Sequence, residues 1–333
     1  MSCALENWAS TDFRPEFRIP AWVSIIGSLA CFIVMILLDF PAMVGATVVL
    51  GGLFLYLKRK ELTLESGDTW EGVWSSVVRS GLQRLSQTVQ HQRNWRPNII
   101  LFSGGNETRP HLVQFGEWLV RKRGILSNFE LIENAGATSA IAKTKDTEPE
   151  PDAHIPGIFS RTLQCRNIYE GMEAVTQIYG FSGIDPNTVM LGWARNSRDP
   201  LRFAHLIRQF SELDNNILML DYDAERGFGS KKTIDLWWRG GSNNATLALN
   251  MLKFLRTSED WENAQTRILT VVDNSALVAR VQKNLNRILD DERIEAEVKI
   301  INNAVEKRPF VEIVKRESGE ADLSMIGLPP ITD

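Results

Sequence analysis

The sequence predicts two transmembrane α-helices, an amphipathic connector helix, and a cytoplasmic α/β domain of two lobes with mainly parallel sheets. Three observations predict this. Two consecutive runs near the start carry no charged side chain, Ile19–Leu38 and Ala42–Leu57. A third stretch, Thr69–Trp95, repeats apolar residues at helical spacing on one face. From Pro97 onward, short apolar runs alternate with amphipathic stretches, the pattern of strands joined by crossover helices.

A helix needs about 20 apolar residues to cross a hydrocarbon core of about 30 Å. Ile19–Leu38 meets that length, and Ala42–Leu57 approaches it when Phe40 and Pro41 are added. A buried hairpin in a water-soluble core would show a polar face, and neither run has one. The run is too long for a signal h-region, and a second span follows it directly. Lys58, Arg59 and Lys60 follow the pair, Arg14 and Arg18 precede it, and Asp39 lies in the turn. The positive-inside rule then puts both ends, and everything after them, on the cytoplasmic side of a plasma or inner membrane. Small residues four apart (Ser24 with Ser28, Gly27 with Cys31, Ala42 with Ala46, Thr47 with Gly51) suit close helix packing in lipid.

On the connector, Trp70, Trp74, Val78, Leu82 and Leu85 share a face. They are the candidate coupling or interface residues, facing a membrane surface, a partner chain or the protein's own domain. The boundaries read as a lead-in 1–18, a hairpin 19–60, a connector 61–96, a first lobe 97–230 and a second lobe 231–333. Within the first lobe, 142–157 is rich in Lys, Asp, Glu and Pro and reads as a mobile loop.

Composition excludes several functions. The net charge is −4, with no basic stripe for nucleic acid. Three cysteines and four histidines are scattered without CxxC or HExxH spacing, so neither a disulfide framework nor a metal site is expected. GFSG at Gly180–Gly183 is one residue short of a nucleophile elbow. The acid pairs Asp290-Asp291 and Glu148/Glu150 read as solvated surface, and Cys165 as a buried strand cysteine. No catalytic constellation is present, and an enzyme is not expected. Ser103, Gly104, Gly105 and Asn106 follow the first strand, where backbone amides could meet a nucleotide phosphate, although an ordinary strand-to-helix turn reads the same way. Arg226–Lys232 (RGFGSKK) has the look of a phosphate loop without GxxxxGK[ST] spacing, and reads as a solvated loop.

Four segments together resemble the cation-chloride cotransporter family (Na-K-Cl and K-Cl cotransporters). They are NWRPNIIL (Asn94–Leu101), KKTIDLWWRGG (Lys231–Gly241), ADLSMIGLP (Ala321–Pro329), and the stretch Asp12–Ala42, which is similar to that family's last two transmembrane helices and their lead-in. The resemblance implies the C-terminal portion of a secondary active symporter of Na+ and/or K+ with Cl−. It implies two universal-stress-protein-like lobes, a regulatory and dimer-forming role, and the remaining transmembrane helices and membrane lipid as partners. It places no ion ligand in this chain. It requires no cofactor, and some such folds bind an adenine nucleotide at strand ends. Where family members often carry acids after the IDVWW strand, this chain has Arg239, Gly240, Gly241 and Ser242. Two other readings stand beside it: a membrane-anchored nucleotide-sensing module, and an amino-acid permease of the same superfamily.

Overall fold

The computed structural model describes residues 21–38, 40–59, 69–87, 95–104, 108–121, 123–134, 136, 139–143, 157–181, 183–194, 199–240 and 243–328. The expected lead-in 1–18, residues Asp39 and Lys60, and most of the expected loop 142–157 lie outside them. The described chain divides into two compact units. One holds the residues up to Val89 together with Phe181–Ile184, and the other holds the rest.

In the first unit, α1 (Ala21–Leu38) and α2 (Phe40–Arg59) touch each other, and α3 (Thr69–Ser86) follows. No helix among the described residues is long and apolar enough to cross a membrane. The expectation of two spans is not met on length. The 18 residues of α1 rise about 27 Å, short of a core of about 30 Å, and α2 ends in Lys58 and Arg59. Their side chains are nevertheless open: Trp22, Leu37 and Val49 are 63%, 79% and 69% exposed. A Cβ on Gly27, Gly45 or Gly51 would meet nothing within 4 Å among the described residues. Gly183, at φ +93, has no such space. A Cβ there would stand 2.7 Å from Ser86 N and 2.9 Å from Leu85 Cβ, which seats the end of α3 on the loop 181–184.

The second unit contains two sheets. The first has six strands: β1 (Asn98–Phe102), β2 (Ile125–Glu133), β3 (Ala142–Lys143), β4 (Ile158–Cys165), β5 (Thr188–Gly192) and β6 (Asn216–Leu220), in the order β3-β4-β2-β1-β5-β6. All pairs are parallel except the short β3 on β4, with Ile99 opposite both Leu126 and Thr188. Helices α4 (Pro110–Val120), α5 (Ile168–Ile178) and α6 (Pro200–Glu212) make the connections. The second sheet has four parallel strands, β7 (Thr233–Trp237), β8 (Gln265–Val272), β9 (Glu297–Asn302) and β10 (Leu323–Ile326), in the order β10-β7-β8-β9. Its helices are α7 (Asn243–Leu255), α8 (Val278–Glu292), preceded by a 3-10 turn at Ser275–Leu277, and α9 (Phe310–Ser318). The unit is thus an α/β domain with mainly parallel sheets. Central parallel strands are covered on both faces, and so they read as unbroken apolar runs; β1, NIILF, is buried at every position.

The two sheets share one core. Ile99, Leu101, Leu112, Trp118 and Met190 from the first cluster with Ile234, Leu236, Leu252, Trp261 and Ile268 from the second. Gly116 allows the approach of α4 to β2, since a Cβ there would lie 2.8 Å from Leu126 Cδ2. Trp118 joins the halves. Its ring meets Phe228 and Trp261 edge-on, at 4.8 and 5.6 Å between centroids. Its Nε1–H donates to Asp260 Oδ2 at 2.7 Å, and the Lys231 ammonium lies over the ring at 4.9 Å while bonding the same carboxylate at 2.6 Å.

Two predictions follow from this packing. Trp118→Ala removes the shared aromatic contact and one of the two hydrogen bonds to Asp260, and should lower unfolding free energy by about 3–5 kcal/mol in urea denaturation. Acid should also destabilise the fold. Lys231 holds Asp260, and Lys299 holds Glu317, below the ordinary 3.8 and 4.5. Depressed carboxylates contribute stability above their unfolded values, and that stability is lost as pH falls through the folded ones. The melting temperature should therefore fall below about pH 4 while staying level from pH 5 to 7.

Candidate functional site

Strand order reverses on either side of β1, which makes the carboxyl ends of β1 and β5 a topological switch point, the usual ligand crevice of open α/β sheets. Ser103 follows β1 there and is fully buried. Gly104 adopts φ +72, and among the described residues nothing lies within 4 Å of a Cβ position there. Gly105 and Asn106 lie outside the described residues. Of the four residues expected at a nucleotide phosphate, the structure therefore brings Ser103 and Gly104 to the switch point.

Sequence reading missed a cation at this place. Arg109 sits at the N-cap of α4 without a side-chain cap, ahead of Pro110. Its Nη1 lies 3.2 Å from where a Cβ on Gly192, the last residue of β5, would stand. The glycine leaves room for the guanidinium. Next to it, His111 stacks flat on Tyr222 at 4.0 Å, and burial, then the Arg109 charge, pushes its imidazole pKa down. The first turn of α6, by contrast, already has an anion: Asp199 accepts the Arg202 amide at 3.0 Å. A spacing rule does not find Arg109, because its role depends on the α4 start meeting the end of β5.

The IDLWW strand acquires a physical account. Asp235, fully buried in β7, receives Arg267 Nε at 2.8 Å and Nη2 at 2.7 Å. Ser318 Oγ donates to the same carboxylate at 2.6 Å, and Trp237 Nε1 donates to Ser318 Oγ at 3.0 Å. The Asp235 hydrogen bond also raises the Arg267 pKa. The aspartate and first tryptophan of the motif thus lock β7 to β8 and to the end of α9. This is a satisfied buried ion pair with no substrate-facing group. Cys165 is buried at the end of β4, where burial pushes its thiol pKa up.

Among the predicted coupling residues of α3, Trp74, Val78 and Leu85 are exposed and Leu82 is half-buried. Trp70 lies in the helix, with its side chain outside the described residues. Helix α3 stops at Ser86, and residues 88–94 of the expected longer helix lie outside the description. A cavity of about 240 Å³ opens elsewhere, at the ends of α7 and α8, lined by Lys253, Arg256 and Arg293 over Leu252 and Ile294. Lys253 is already engaged there by Glu292, and Arg256 donates to the Glu295 carbonyl. Among the described residues, no group of three or more His, Cys, Asp or Glu side chains could hold a metal ion.

No family model matches the chain. Among solved structures, it is similar to the cytoplasmic domain of a prokaryotic cation chloride cotransporter, with a TM-score of 0.51 at 18% identity. The match covers 72% of this chain and 88% of that one. At that identity the likeness establishes the fold.

One substitution tests the β7 lock. Asp235→Asn leaves the Arg267 guanidinium short of its counter-ion, with 29% of that side chain exposed. Removing one partner of a fully buried pair costs about 3–5 kcal/mol, and the residual exposure should bring the loss to about 2–3 kcal/mol in chemical denaturation. An unchanged midpoint would refute the role.

Proposed function

We propose that the chain is the C-terminal membrane and regulatory part of a secondary active cation-chloride symporter, with no catalytic activity of its own. The observation that carries this reading is the likeness of the chain, over 72% of its length, to a cotransporter cytoplasmic domain, of which it spans 88%. Supporting it are the sequence resemblances at NWRPNIIL, KKTIDLWW and ADLSMIGLP, and, ahead of the domain, the uncharged helix α1 and helix α2, uncharged as far as Lys58. Their large exposed apolar side chains are costly in water, where contiguous apolar surface marks a membrane or protein contact. In this reading α1 and α2 form a lipid-embedded hairpin. Na+, K+ and Cl− pass through helices outside this chain, two such chains pair, and the domain faces the cytoplasm. Helix α3 transmits the state of the domain through its exposed face and its seat at Gly183. Transmission requires that domain arrangement and transport state differ in mutual free energy.

A second reading, a membrane-anchored nucleotide sensor, draws on the turn at Gly104 and the guanidinium of Arg109 at the switch point. It predicts saturable adenine-nucleotide binding that Arg109→Ala weakens by about tenfold, the scale of one charge-assisted contact.

The transporter reading is tested by chloride-dependent rubidium uptake in cells expressing the intact protein. Trp74→Glu and Leu82→Glu, each putting a charge on the apolar face of α3, should reduce uptake severalfold at equal surface expression. Wild-type uptake that ignores chloride replacement would refute the symporter. Full uptake by both variants would refute the coupling role of α3.

A further inference from the structure

Residues 221–232 carry the chain from β6 of the first sheet to β7 of the second, and they include the RGFGSKK segment that resembles a phosphate loop. The segment is not simply solvated. Its amides converge on an oxyanion, and the oxyanion belongs to the chain. Asp322 Oδ1 accepts the Ser230 amide at 2.9 Å. Asp322 Oδ2 accepts the Lys232 and Thr233 amides at 2.8 and 3.0 Å and the Thr233 and Ser230 hydroxyls at 3.0 and 3.2 Å. Thr233 Oγ1 in turn accepts the Asp322 amide at 2.9 Å. Gly227, Gly229 and Lys231, at φ +62, +55 and +58, turn the backbone inward to make this possible. A Cβ on Gly229 would collide with Asp322 Oδ1.

Asp322 stands just before β10, a four-residue edge strand whose ladder partner is β7. One carboxylate therefore ties the entry of β7 to the entry of β10. Phe228 is buried against Phe115 and Trp118 and anchors the nearer half of the crossover. Beyond it Gly229, Ser230 and Lys232 are exposed.

The geometry points to Asp322 as a releasable latch: residues 229–232 and strand β10 form one local opening unit that comes free together. The strands β7, β8 and β9 and the six-stranded sheet stay closed. Hydrogen bonds to a charged acceptor are about twice as strong as neutral ones, so the carboxylate is a strong tie shared by both segments, beside the packing of Leu323 and Met325 on the core. A short edge strand lies at the low end of local stability, and losing the shared acceptor releases both sides at once. Opening uncovers the outer edge of β7, a row of amides and carbonyls. The latch thus decides whether that edge is covered.

Amide hydrogen exchange, read by mass spectrometry on the intact chain, tests this with two variants. Asp322→Ala removes the acceptor. Gly229→Ala keeps the charge and pushes a methyl group against it. Each variant should speed exchange in 229–232 and in 323–326 together, by about tenfold or more, with β1, β5 and β8 protected as in the wild type. Acceleration in only one of the two segments would overturn the latch, as would no change in either variant. So would loss of protection in every strand at once, a variant that fails to fold included, because the carboxylate would then belong to the global core.

Discussion

The packing of one indole makes a single body out of two sheets. Trp118 leaves α4 of the first sheet and lands between Phe228 of the crossover and Trp261 of the second sheet's layer. Its N–H is satisfied by Asp260, whose charge is in turn matched by Lys231 lying over the ring. Aromatic area, one hydrogen bond and a cation–π contact thus coincide at one place. Without it each sheet would keep its own helices but lose the continuity of the core, which runs from Ile99 to Ile268.

Around that core, charge is used to fix strand starts and ends. Asp235 sits within β7 and is matched by Arg267 and Ser318. Asp322 gathers the amides of the segment that enters the same strand. Lys299 and Glu317 join β9 to α9 at 2.6 Å. Buried carboxylates are tolerated only when their lone pairs are filled, and here they are filled by groups from distant parts of the sequence. The second sheet is therefore specified by polar partners as much as by apolar bulk. The first sheet relies on fully apolar strands such as β1.

What the sequence reveals follows from which forces are local. Parallel strands buried on both faces appear as apolar runs, and amphipathic helices show their period, so the alternation from Asn98 to Leu328 was legible. Strand β2 begins earlier than its apolar run suggests. Ser127 and Asn128 look like loop residues but are buried, and Ser127 shares a hydrogen bond with the Tyr179 hydroxyl at 2.8 Å. Ala142 and Lys143 pair with Gln164 and Leu163 although their surroundings read as loop. Ser103 and Gly104 could be chosen because they follow a strand, whereas Arg109 could not, since Gly192 lies more than eighty residues away. The RGFGSKK segment was read as solvent-facing because its anion is supplied by an aspartate some ninety residues later. The uncharged runs announced two helices, but composition does not fix where a helix starts and stops.

The order β10-β7-β8-β9 has a consequence for biosynthesis. Strand β7 leaves the ribosome well before the strand that flanks it, with three helices and two strands in between. Until that late partner emerges, one side of β7 stays bare in a nascent chain, and long-range parallel pairing of this kind closes slowly. A translating polysome therefore presents a sticky strand for several seconds at ordinary elongation rates of about 5–20 residues per second.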